Sequence, residues 1–218
     1  MLLKSIIKKA IPNFLFLLFV KYENKRLEKK NYKKEYIKWL NAERKIPAPF
    51  TVKVYLINKL TTKYKCNILV ETGTFKGEMI DAQLNNFDHL YTIELSKDLF
   101  LEAKNKFKDV KKVTLIQGDS SQMLKTIINN LTDNTLFWLD GHYSGGITAM
   151  GDKICPIFEE LEIIFQTKRK FTILIDDYRL FNGNGGYPTV NELKEFINAT
   201  GIQYKFKVIV DIILIKII

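Results

Sequence analysis

Six carboxylates in this chain, Glu71, Glu94, Asp119, Asp140, Asp176 and Asp177, stand at or just past the ends of short apolar runs. Thr72, Gly73, Thr74, Phe75 and Gly77 follow the first of them as a glycine-spaced loop, and Ser120 follows the third. Carboxylates can hold ribose hydroxyls, ligate a hard cation through oxygen, or take a proton from a reacting hydroxyl. Carboxylates that converge on one point repel one another and require a cation, protonation or a basic partner. The competing reading is that acids at strand ends are turn formers and helix caps. His142, two residues beyond Asp140, is a second candidate base, with a polar loop residue as its plainer reading.

The elements that position these groups follow from the pattern of apolar residues. Ile68, Leu69 and Val70 read as a strand buried on both faces, and Gly73 and Gly77 permit a tight turn and close approach of a ligand to the backbone. Residues 78–86 read as the next helix. A strand over 90–94 then ends in Glu94, roughly 20 residues after the loop, where nucleotide-binding α/β folds place the acid that binds ribose. Residues 97–107 read as helix and 113–117 as strand, with Asp119 or Ser120 capping a helix to about residue 130. Strands over 135–140 and 171–177 carry Asp140, Asp176 and Asp177. Residues 141–154 read as a long loop over a site, 156–166 and 190–199 as helices, and 182–188 as loop. The chain finishes on strands 204–209 and 212–217, joined at Val210 and Asp211 as an antiparallel hairpin. Alternation of strand and helix predicts an α/β fold with a mainly parallel, Rossmann-like sheet, and ligands bind such sheets at the carboxyl ends of the strands. All six acids are therefore expected on one edge.

The net charge of +10 is unevenly placed. Residues 1–47 hold 13 Lys/Arg against 4 Asp/Glu, whereas residues 48–218 hold 21 against 20. We expect a basic, helical N-terminal extension over 1–47 and a nearly neutral domain over 48–218, which argues against nucleic acid as a partner of the domain. In the extension, apolar residues Leu2, Leu3, Ile6, Ile7, Ala10, Ile11 and Phe14 recur at helical spacing among Lys4, Lys8 and Lys9. The run to Val20 is too short to span a bilayer and is interrupted by Pro12, and no small-residue cleavage site follows it. Two readings remain open: contact with an anionic membrane surface, or packing on the domain or on a second subunit in a homodimer. Residues 21–45 read as a solvated helix. Cys66 and Cys155 have no metal-ligand spacing and form no disulfide framework, so a cytoplasmic setting, with or without attachment to the inner membrane face, is expected.

With its glycine loop, its strand-end acids and the closing hairpin, the stretch 48–218 resembles the class I S-adenosylmethionine-dependent methyltransferases. The resemblance implies that Glu71 to Gly77 wrap the methionine part of the cofactor, that Glu94 holds the ribose, and that Asp119 and Ser120 contact the adenine; Asp140 would border the same site. Within that family the chain is similar to metal-dependent O-methyltransferases of the catechol type and to relatives that modify macrolide sugars. These place an acid after the fourth strand and an acid pair after the fifth, matched here by Asp140, Asp176 and Asp177. The resemblance implies Mg²⁺ on these three acids and a hydroxyl of a sugar or glycan intermediate as acceptor; the basic arm would bring the chain to lipid-linked ones. The chain departs from the catechol type where a lysine is replaced by Tyr143, leaving the base open between Asp140 and His142. Tyr143, Tyr178 and Arg179 are candidates for the acceptor pocket, or for packing.

Two other functions compete. A nicotinamide-dependent oxidoreductase shares the loop and acid, but Tyr55 and Lys59 supply the only Tyr-x-x-x-Lys spacing, upstream of the loop. A non-catalytic, membrane-associated module would have little use for so many carboxylates at strand ends.

Overall fold

The computed structural model describes residues 31–141 and 155–218. The amphipathic arm over 1–20 and most of the loop expected over 141–154 lie outside them. Residues 31–41 are helical, and α1 (Phe50–Tyr64) follows. By its internal contacts the chain forms two compact units, Met1–Leu56 and Ile57–Ile218, the division falling within α1. Among the described residues no helix is long and apolar enough to cross a membrane.

In the second unit, strands and helices alternate as β1 (Ile68–Thr72), α2 (Glu78–Gln83), β2 (His89–Glu94), α3 (Lys97–Lys106), β3 (Val113–Gln117) and α4 (Ser120–Ile127). They continue as β4 (Thr135–Leu139), α5 (Ile157–Gln166), β5 (Thr172–Ile175), α6 (Val190–Ala199), β6 (Tyr204–Ile209) and β7 (Ile212–Ile217). The seven strands form one sheet in the order β3-β2-β1-β4-β5-β7-β6. β1 to β5 are parallel, while β7 runs antiparallel between β5 and β6. The mainly parallel sheet and its terminal hairpin are as the sequence predicts.

Local chemistry sets the element ends. The side chain of Ser96 caps α3 by accepting from the Leu99 amide, and Asp119 caps α4 by accepting from Ser121 N at 2.8 Å. Thr189 and Glu192 form a reciprocal capping box on α6. Every residue of β4 is buried, as befits a strand covered on both faces. Phe137 on β4 meets Phe171 edge-on at 5.0 Å, and Leu161, Ile164, Leu193 and Ile197 from α5 and α6 pack over β4, β5 and β7. This apolar layer fixes the strand ends from which the acids project.

Candidate active site

The first component is the loop after β1. The amides of Gly73 and Thr74 both donate to the carbonyl of Ile93 on β2, tying the loop to the neighbouring strand. Gly73 has φ 83° and Gly77 φ 65°, the left-handed region in which a side chain is strained. Beneath the loop the Thr74 and Thr92 hydroxyls are 2.6 Å apart, and Thr92 Oγ1 donates to Glu71 Oε2 at 2.5 Å. Glu71 is 1% exposed. Burial pushes its carboxyl up to about 8, against the Thr92 hydrogen bond and with help from the nearby Glu94 charge. At neutral pH Glu71 is therefore mostly protonated and braces the loop from below through Thr92. Thr72 is also fully buried, whereas Phe75, at φ 48°, is exposed at the loop tip.

Glu94 closes β2 and is buried, with Oε2 accepting from the Phe75 amide at 2.8 Å and Oε1 from the Ser96 amide at 2.9 Å. The two bonds fix the carboxylate against the glycine loop. An ionised carboxylate offers about four lone-pair sites, so two more bonds can be accepted. Asp119 takes Ser121 N and Ser121 Oγ on one oxygen, and Ser120 opens the helix it caps.

The second component lies past β4 and β5. The Asp140 amide donates to the Thr72 carbonyl, and the Asp176 amide to the Leu139 carbonyl, so sheet-like pairing carries these acids to one edge. Asp140, Asp176 and Asp177 each present an oxygen within 4.8 Å of the others. Asp176 and Asp177 are buried and Asp140 is partly exposed. Ligand oxygens about 2.1 Å from a Mg²⁺ ion lie at most about 4.2 Å apart, so an all-carboxylate set of this spread is of the donor type, and close to the spacing, that a hard cation requires.

Arg179, expected near the acceptor, reaches into the acids. Its Nη1 donates to Asp177 Oδ1 at 2.6 Å and also to Asp211 Oδ2, while its amide donates to Asp211 Oδ1 at 2.9 Å. Asp211 is fully buried in the β6–β7 turn. Tyr178 begins a short 3₁₀ turn and packs against the core, with its amide on the Asp211 carbonyl. His142 and Tyr143 lie outside the described residues. All six acids stand at the carboxyl edge, three converging and Glu71, Glu94 and Asp119 each engaged separately.

Sequence reasoning passed over three groups here. Glu160 on α5 is 2% exposed, and burial pushes it up to about 7 although the Ser120 and Thr72 hydroxyls favour its charged form. Those contacts are loose: neither Glu160 Oε1 nor Thr72 Oγ1 has a well-aligned hydrogen bond. Burial, followed by the neighbouring Cys155, Asp177 and Asp140, pushes the Tyr187 phenol up and keeps it a proton donor. Asp211 is the third. A charged residue within the apolar pattern of α5 was the available signal for Glu160; nothing local distinguished Tyr187 or Asp211.

No protein-family model matches the chain, and no curated protein sequence matches it. Solved structures do. The O-methyltransferase TomG from Streptomyces achromogenes, in complex with S-adenosylmethionine, superposes with TM-score 0.55 at 13% identity, over 88% of this chain and 89% of that one. The fold is that of the Rossmann-like methyltransferases. An O-methyltransferase from Bacillus cereus bound to S-adenosylhomocysteine gives TM-score 0.55 at 12% identity, over 87% of this chain and 90% of that one. The methyltransferase PaMTH1 from Podospora anserina, also with S-adenosylhomocysteine, gives 0.54 at 16%, over 98% and 92%. The methyltransferase fold puts the glycine loop and the acid cluster on the edge where parallel sheets bind ligands.

Proposed function

We propose that this chain is an S-adenosylmethionine-dependent O-methyltransferase acting on a hydroxyl of a sugar or glycan intermediate, lipid-linked or free, with help from a divalent cation such as Mg²⁺. The observation that carries the reading is the Asp140, Asp176 and Asp177 cluster at the ends of β4 and β5, the first and second strands beyond the glycine-loop strand β1. The sheet separates this reading from a dinucleotide-dependent oxidoreductase, whose usual strand order is 3-2-1-4-5-6; here an antiparallel strand stands between β5 and β6.

S-adenosylmethionine, when bound, supplies a methyl group on a positively charged sulfur. On this reading the loop from Thr72 to Gly77 cradles its amino-acid end, Glu94 accepts from the ribose hydroxyls with its remaining lone pairs, and Asp119 and Ser120 border the base. The cation on the three aspartates would lower the pKa of an acceptor hydroxyl as a Lewis acid. Asp140 or His142 takes the hydroxyl proton, and Tyr187, a phenol held protonated, orients the acceptor by donating to it. The basic arm supports attachment to an anionic membrane surface, where lipid-linked acceptors reside.

Calorimetry with S-adenosylhomocysteine tests the cofactor half. Glu94→Ala should weaken binding by about 1–3 kcal/mol through lost hydrogen bonds to a charged group. Heat from NADH and none from either methionine cofactor would reject the reading. For the metal half, EDTA should suppress methyl transfer to the acceptor found in a sugar screen and leave cofactor binding nearly intact, with Mg²⁺ restoring turnover.

A further inference from the structure

Beside the acid cluster, the loop before α6 and the facing sides of α5 and α6 enclose an open groove of about 910 Å³. Phe158, Tyr187 and Phe196 supply its aromatic walls, Phe158 and Phe196 lying 4.8 Å apart. Glu159, Glu192 and Glu195 also line it, with no Lys or Arg among the described lining residues. Cys155 and Tyr187 are shared with a narrower crevice that contains Gly141, Glu160 and Asp176. The groove thus adjoins the proposed reaction centre.

We infer that this groove is the acceptor subsite and that it selects a positively charged saccharide, one bearing an amine. The inference rests on the methyltransferase reading and adds the charge of the substrate to it. The volume falls within the few hundred to roughly 1,000 Å³ that small-molecule sites occupy. Aromatic faces receive the C–H face of a sugar ring, and a cation over such a face gains further attraction. Glu192 and Glu195 stand three residues apart on one side of α6, a spacing that places both carboxylates over the same surface. Glu192 is held in place by its capping bonds from Thr189 N and Thr189 Oγ1. A neutral ring can stack here and donate its hydroxyls to these carboxylates, but only an ammonium adds the attraction of opposite charges, and an acidic or phosphorylated acceptor is repelled.

The methyl glycosides of glucosamine, glucose and glucuronic acid differ mainly in charge and serve as probes. Their binding to the full chain, with Mg²⁺ and S-adenosylhomocysteine present, is read by saturation-transfer NMR at about pH 6.5, where the amine is protonated. We expect the glucosaminide to bind about threefold or more tighter than the glucoside, the glucuronide to bind weakest, and the preference to shrink as salt is raised. Glu195→Gln should reduce the amine preference, as should Glu192→Gln, which can retain the capping box. Equal binding of the three glycosides, a preference for the glucuronide, or no binding of the glucosaminide would overturn the inference. Heat from S-adenosylhomocysteine is measured on the same samples: its absence rejects the methyltransferase reading, whereas its presence without a charge preference removes only the subsite assignment.

Discussion

A Cβ placed on Gly73 would lie 2.6 Å from the carbonyl oxygen of Asp140. The glycine loop after β1 and the first acid of the cluster after β4 are thus in backbone contact, and neither can shift without the other. A backbone carbonyl cannot give way as the end of a flexible side chain can.

Gly73→Ala is therefore expected to combine backbone strain with a clash, whereas Gly185→Ala, at φ 60° with nothing within 4 Å of its Cβ, suffers the strain alone. In urea denaturation Gly185→Ala should cost about 1 kcal/mol and Gly73→Ala at least about 2 kcal/mol. Only Gly73→Ala should also impair binding of S-adenosylhomocysteine. Equal losses of stability would show that the loop and β4 yield to each other.

Glu71 and Glu160 give a pH dependence of unusual sign. Their folded-state carboxyls sit at about 8 and about 7, above the usual 4.5, so between 4.5 and those values the native state binds more protons than the unfolded chain. Stability is greatest below about 4.5 as far as these two groups decide it, falls as pH rises through the folded values, and levels off above them. Glu71→Gln keeps an acceptor for Thr92 and cannot ionise. In thermal unfolding the stability of this variant should decline less between pH 5 and 9, keeping only the share that Glu160 contributes up to about 7, and the variant should exceed the parent by on the order of 2 kcal/mol at the alkaline end. A parallel decline in both proteins would place the titration elsewhere.

Asp177 is held by Arg179, which is held in turn by Asp211. Asp211→Asn removes a charge from a fully buried, paired site and should destabilise the protein by about 3 kcal/mol, read by chemical denaturation. Asp177→Asn, at a less buried partner, should cost less in stability and more in affinity for Mn²⁺ as a paramagnetic probe of the proposed Mg²⁺ site. Unaltered Mn²⁺ binding by Asp177→Asn would remove this residue from the ligand set.

The elements were legible in the sequence because their signals are local. Apolar runs gave the strands, α6 begins at Val190 as expected, behind a Thr189 and Glu192 capping pair that played no part in that expectation, and the turn at Val210 and Asp211 gave the hairpin. The helix read over 78–86 is shorter, ending at Gln83, since Leu84 to Asn86 turn toward β2. The site was legible to the extent that parallel strands bring their ends together, which gathered Asp140, Asp176 and Asp177. Side-chain direction was not. Glu71 looks in sequence like any other strand-end acid, yet lies beneath the loop; Glu160 and Tyr187 come close to the cluster through the packing of α5 and the course of the 182–189 loop, which no spacing encodes.

The bond between Arg179 and Asp211 joins residues 32 positions apart in the chain. As the polypeptide leaves the ribosome, the Asp176 and Asp177 pair emerges well ahead of the turn that steadies it, and β7 must still slot between β5 and β6. A nascent chain therefore carries its acidic cluster before it possesses the brace, and the cation affinity proposed for the cluster should mature only with closure of the hairpin.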